Sequence, residues 1–182
     1  LDLHGMANGN DGPYTDEGRH MVPPERPGPP AMEPGPQDAD ILWLLDLRTA
    51  AGVRPHDSTH SSILLDGQYL YLNTSNGLNS KHDGVDKPEA PSLVVVDKAT
   101  GRLVAQEREG MSRNIFHCTW SSPALGEVNG RRRLYFCGGD GICYGFEPQP
   151  VKDQGGDGIL KEVWKFDCNP PQYRKKDGKP IK

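Results

Sequence analysis

Six histidines occur in this chain of 182 residues, and three of them stand in patterns with chemical meaning. His56 and His60 are four residues apart, a spacing that chelates a metal when the segment is helical. The pair follows Pro55 and runs toward a strand, so the geometry is wrong for a helical chelate and no metal is assigned to it. His117 stands beside Cys118 and Trp120, a set of imidazole, thiol and indole suited to lining a pocket. Asn8, Asn10, Asp11, Asp16 and Glu17 offer the hard oxygen donors that calcium takes, but their order does not follow an EF-hand loop. Arg131-Arg132-Arg133 is a basic run too short to mark a nucleic-acid surface. No G-x-S-x-G, H-E-x-x-H or P-loop is present.

The elements that must position these residues are short and turn-bounded. Glycine (22) and proline (17) together make up about a fifth of the chain, which suits a β protein with long loops. The 21 basic and 25 acidic residues leave a formal charge of -4, with no excess to neutralise a phosphate backbone, so nucleic acid is not expected as a partner. No run approaches the ~20 apolar residues of a spanning helix. Seven prolines between residues 21 and 36 exclude a helix or a central strand there, so 1–39 reads as a Gly/Asn- and Pro-rich insertion, extended or polyproline-like, the alternative being a disordered tail. Neither end carries a targeting or domain-ending signal, and the chain reads as a segment of a larger protein.

From Asp40 onward short apolar runs alternate with turn signals. Ile41–Asp46, Ser62–Leu65, Gln68–Thr74, Ser92–Asp97 and Arg102–Ala105 read as strands, separated by Asp66-Gly67, Asn76-Gly77 and Thr100-Gly101. The order then recurs through Ala124-Leu125, Asn129-Gly130, Arg133–Cys137, Gly138–Gly141, Ile142–Phe146 and Leu160–Asp167. Ser61-Ser62 and Ser121-Ser122 lie one repeat apart, and the W-x-x-D pairs at Trp43 and Trp164 lie two repeats apart. Repeats of four strands point to propeller blades. The expected fold is all-β: a partial β-propeller with two four-stranded antiparallel blades, at about 59–107 and 118–167, and 40–47 as the outer strand of a preceding blade. Residues 169–182 read as a loop leading to a missing blade. Trp43 and Trp164 are expected to pack between blades.

Four cysteines, Cys118, Cys137, Cys143 and Cys168, show no C-x-x-C pair. A three-residue loop at 139–141 sets Cys137 opposite Cys143, whereas a two-residue loop sets Cys137 opposite Ile142. A disulfide between directly opposed strand residues requires strain, so reduced, buried cysteines are the expected state.

The stretch Val96-Asp97-Lys98-Ala99-Thr100-Gly101 resembles the A-x-D-x-x-T-G-x-x-x-W docking motif of quinoprotein-like (PQQ-like) β-propellers, with Val95 and Ala105 in place of its Ala and Trp. Gly139–Phe146 is similar to the G-D-G-x-x-Y-A-F hairpin of the same family, and Val163–Asp167 to its blade-ending strand. The resemblance covers 40–168 and, more weakly, 1–39. It implies a secreted or periplasmic bacterial protein and a fold that hosts unrelated activities. In a quinoprotein dehydrogenase of this type PQQ and calcium would be cofactors, Trp120 would stack on the quinone, and Asp57 or Asp140 would be the base.

Blade topology sorts the loops into two faces. One face takes 48–58, 75–91, 108–117 and 138–141, and with them His56, Asp57, His60, His82, Asp83, Asp86, His117 and Asp140. The ligand-binding candidates are His56, Asp57, His60, His117, Trp120 and Asp140. The function expected is a non-catalytic propeller scaffold or binding module, presenting a protein, peptide or glycan ligand on that face. No cofactor is assigned, and a PQQ-dependent alcohol dehydrogenase is the alternative.

Overall fold

The computed structural model describes residues 1–22, 28–57, 61–176 and 179–180. They form two compact units, Leu1–Leu45 and Asp46–Lys182.

The first unit is folded rather than extended. It contains a 3-10 turn at Gly5–Asn8 and a one-turn helix, α1, at Glu17–His20. A chain this rich in proline has few ladder partners for its backbone N–H groups, and two buried carboxylates take that role. Glu17 accepts from the Ile41 N–H at 3.2 Å and from the Asn10 amide at 2.8 Å. Asp40 accepts from the Asp11 N–H at 3.0 Å, and its main-chain carbonyl from the Asp2 N–H at 3.0 Å. Residues 28–35 form neither helix nor strand, as their prolines dictate, whereas Pro23, Pro24 and Pro27 lie outside the described residues.

The strand expected at 41–46 does not form. Residues 41–46 join no sheet ladder, and the Ile41 N–H is taken by the Glu17 carboxylate instead of a neighbouring strand. Residues up to Leu45 belong to the first unit, and Trp43 is half-buried. Asp46 is instead the N-cap of helix α2, Leu47–Ala51, accepting from Arg48 N–H at 3.0 Å and Thr49 Oγ1 at 2.6 Å. Gly52, left-handed at φ 64°, closes the helix.

The second unit is a tandem of antiparallel meanders. Strands β1 (Leu64–Asp66), β2 (Tyr69–Asn73), β3 (Leu93–Asp97) and β4 (Leu103–Gln106) pair in chain order. Strands β5 (Ala124–Val128), β6 (Arg131–Cys137), β7 (Ile142–Phe146) and β10 (Glu162–Asp167) do the same. Asn129 and Gly130 both take positive φ, the signature of the tight hairpin turn that Asn-Gly favours. The D-x-x-T-G motif has a direct physical use. Asp97 Oδ1 accepts from the Ala99 and Thr100 N–H groups and from the Thr100 hydroxyl, and these bonds hold its carboxyl below the usual range.

The segment 147–159, a polar insertion by its sequence, forms the short strands β8 (Val151–Lys152) and β9 (Gly158–Ile159). β9 pairs in parallel with β4 at Gln106 and Ile159, so the first sheet has six strands, in the order β1-β2-β3-β4-β9-β8, and the second four. Neither sheet closes on itself. A two-stranded ladder joins β11 (Lys175–Lys176) to β12 (Lys179–Pro180).

The inner faces of the two large sheets share one apolar cluster. Tyr71, Val95 and Ala105 are successive cross-strand partners in the first sheet, and Leu134 with Phe146 and Phe136 with Tyr144 in the second. Trp164, expected to be buried, is 39% exposed. It lies on the opposite face of the second sheet in a row with Gly145 and Tyr135, over the space that the glycine leaves open, its ring 5.8 Å from that of Tyr135.

Candidate functional site

Four loops from the two meanders meet at one end of the second unit. His56 N–H donates to the Ser75 carbonyl at 2.9 Å, and Leu78 N–H to the His117 carbonyl at 2.9 Å. The Asn73 amide donates to the carbonyls of Thr119 and Ser121 at 2.8 and 2.9 Å. Gly139 N–H donates to Thr119 Oγ1 at 2.9 Å. Gly77 allows the closest approach: a Cβ there would lie 2.6 Å from the His117 carbonyl oxygen and 2.8 Å from His56 Cβ.

These contacts gather three imidazoles. Ring centroids are 4.4 Å apart for His56 and His117, 4.8 Å for His56 and His82, and 5.2 Å for His82 and His117, with all three pairs steeply inclined. Each ring offers a nitrogen within 4.8 Å of the other two. His56 is buried, His117 half-buried and His82 exposed. His56 Nδ1 lies 2.8 Å from the Leu78 carbonyl, which only accepts, so Nδ1 carries the proton. The other ring nitrogen, Nε2, is buried without a hydrogen bond, and so is His117 Nδ1. Asp57 Oδ2 stands 3.4 Å from His56 Nε2.

His82 comes from a loop organised by Asn79. The Asn79 amide donates to Asp83 at 2.7 Å and Asp86 at 3.1 Å, while its carbonyl oxygen accepts from the Lys81 and Asp83 N–H groups. Of the four non-glycine residues at positive φ among the described residues, three, Asp57, Ser75 and His82, surround the site. Such conformations cost energy and collect where function holds them.

Cys118 is buried beneath the histidines, and desolvation pushes its thiol up. Its Sγ lies 3.4 Å from the carbonyls of both His56 and Ser75, to which an S–H can donate. The Trp120 ring lies 5.3 Å from that of His117, tilted by 33°, and is 46% exposed.

Of the candidates read from sequence, His56, Asp57, His117 and Trp120 come together. His60 lies outside the described residues. Asp140 is engaged elsewhere, its carboxylate accepting from Ile142 N–H at 3.1 Å and the Tyr144 hydroxyl at 2.6 Å. Sequence reading placed His82 on this face without singling it out. The signal available was a histidine after an Asn-x-x turn, and nothing local tied it to residues 26 positions before or 35 after it.

In the first unit, the oxygen donors that gather are Asp2, Asp11 and Asp40. Asn8 and Asn10, which the sequence offers as oxygen donors without the order of a calcium loop, are turned by their amides onto Asp11 and Glu17. Comparisons with protein-family models, with curated proteins and with solved structures each return no match.

Proposed function

We propose that the chain is part of a β-propeller of the quinoprotein-like repeat type, and that it is a binding module rather than an enzyme. The observation carrying this reading is the convergence of loops from both four-stranded repeats on one end, where they present Asp57, His82, His117 and Trp120 together. Trp120 gives an apolar, partly exposed platform against His117 and Asp57 a carboxylate against His56, a combination suited to a peptide or glycan. The outer face of the second sheet supports the propeller reading. Trp164 and Phe166, 39% and 65% exposed, lie beside Tyr135 and Cys143 and form the kind of surface that the next blade of the same propeller would cover.

The test is capture on peptide and glycan arrays, with Trp120→Ala as the control, alongside dye-linked alcohol oxidation with added PQQ and calcium. Capture that Trp120→Ala abolishes, with no oxidation, is the expected result. Alcohol oxidation that depends on PQQ overturns it in favour of a dehydrogenase.

A further inference from the structure

We propose that His56, His82 and His117 bind one divalent transition-metal ion of the zinc class, leaving at least one coordination position open toward the loop end. The inference deepens the reading of that end as the binding surface by naming an ion it holds.

The donor set selects the metal. Imidazole nitrogens suit zinc, copper and nickel, whereas calcium and magnesium take oxygen. Three histidines with a free position form a zinc arrangement of the open type. The nitrogens, all within 4.8 Å of one another, must close to about 3.3 Å, the separation set by Zn–N bonds of about 2.0–2.1 Å in a tetrahedron. His82 is exposed and carried on a loop, so its ring is free to make that adjustment.

The surroundings match the choice. The Nδ1–H bond from His56 to the Leu78 carbonyl is the outer-shell contact that fixes a ligating imidazole and leaves its other nitrogen bare. That nitrogen, on a residue only 6% exposed, has no hydrogen bond, an expensive state unless something else occupies its lone pair. An ion pair with Asp57 would account for His56 alone. It does not account for the second orphaned nitrogen, on His117. A metal ion serves both, and the Asp57 carboxylate then balances part of its charge.

The experiment uses tag-free protein stripped with a chelator and titrated with Zn²⁺ against a chromophoric competitor, then with Co²⁺ as a spectroscopic probe. His82→Asn is the decisive variant, because asparagine tolerates the left-handed backbone at φ 58° and the residue is exposed, so the fold is preserved. His117→Ala is the second. The expected result is one equivalent of Zn²⁺, with affinity reduced about 100-fold or more in each variant, since even outer-shell changes cost 10–100-fold. Ligand-field bands of bound Co²⁺ should disappear with it. Absence of saturable binding, or binding unchanged in His82→Asn, overturns the proposal. Array capture by the stripped protein is scored separately. Capture without zinc binding leaves the binding-module reading standing and removes this one, and zinc binding without capture does the reverse.

Discussion

His56 and Leu78 are joined by a side-chain to main-chain hydrogen bond, Nδ1 to carbonyl, at 2.8 Å, and Arg54 Nη1 reaches the same carbonyl at 3.4 Å. The residue before Leu78 makes this possible, because Gly77 lets the loop after β2 pass against the His117 carbonyl and the His56 side chain. Gly77→Ala should therefore destabilise the protein by about 1–3 kcal/mol, the range for forcing a methyl into packed surroundings. Gly84, in the same loop, has open space around it and no left-handed φ, so Gly84→Ala should stay within about 0.5 kcal/mol. Urea denaturation of the two variants decides the matter, and equal stabilities would show that the contact yields without cost.

Thiol chemistry gives a second expectation. All four cysteines are free, and Cys137 and Cys143 are direct cross-strand partners. Titration of the unfolded, unreduced protein should yield four thiols, whereas a count of two would require a bridge. In the native protein at pH 8, alkylation should reach the exposed Cys137 and Cys168 first. Cys143 should lag, because burial and the adjacent Cys137 push its thiol up to about 11, leaving little thiolate to react. Peptide mapping after timed quenching distinguishes the sites.

Glu109 carries a pH dependence. Burial, and the Glu162 carboxylate beside it, push its carboxyl from 4.5 up to about 7, while Lys165 acts in the opposite direction from 3.4 Å. The folded state thus binds a proton that the unfolded state releases nearer 4.5. The contribution is fully present below that lower value and is lost as pH rises through about 7. Glu109→Gln should flatten the decline in the unfolding midpoint between those two pH values. A decline of unchanged slope in thermal scans would assign it to another group.

Burial separates Leu160 from Trp164. Leu160 sits in the shared apolar cluster at 2% exposure, and Leu160→Ala should cost about 2–5 kcal/mol. Trp164 lies open on the outer face, so Trp164→Ala should cost less than the ~3–5 kcal/mol of a core tryptophan. A larger loss at Trp164 than at Leu160 in chemical denaturation would contradict the exposure seen here.

Local patterns made the eight meander strands legible, and six of them are bounded by a turn whose chemistry is written in two residues: Asp66-Gly67, Thr100-Gly101, Asn129-Gly130. The repeat was legible too, and it has a physical counterpart: Ser62 N–H donates to Ser122 Oγ at 2.8 Å, joining the two equivalent serines. Three features were not legible. Ile41–Asp46 has strand composition but joins no β-ladder, and its closing Asp is a helix cap. The hairpin β8–β9 is polar and short, and only an edge to pair with makes it a strand. The three histidines are brought together by backbone contacts between distant loops, which no local spacing encodes.

The hairpin has a consequence for modularity. By sequence it belongs to the second repeat, yet Leu160 N–H donates to the Gln106 carbonyl at 3.0 Å, and Arg108, just past β4, is clamped by Asp153 and Asp157. The repeat visible in the sequence is therefore not a unit that can be lifted out. A fragment cut at residue 107 would bare the full length of β4, whose free N–H and C=O groups are a template for strand addition by another copy. Such a fragment should self-associate where the intact pair of repeats does not use that edge, so grafting or shuffling has to carry the second repeat's insertion along with the first repeat's sheet.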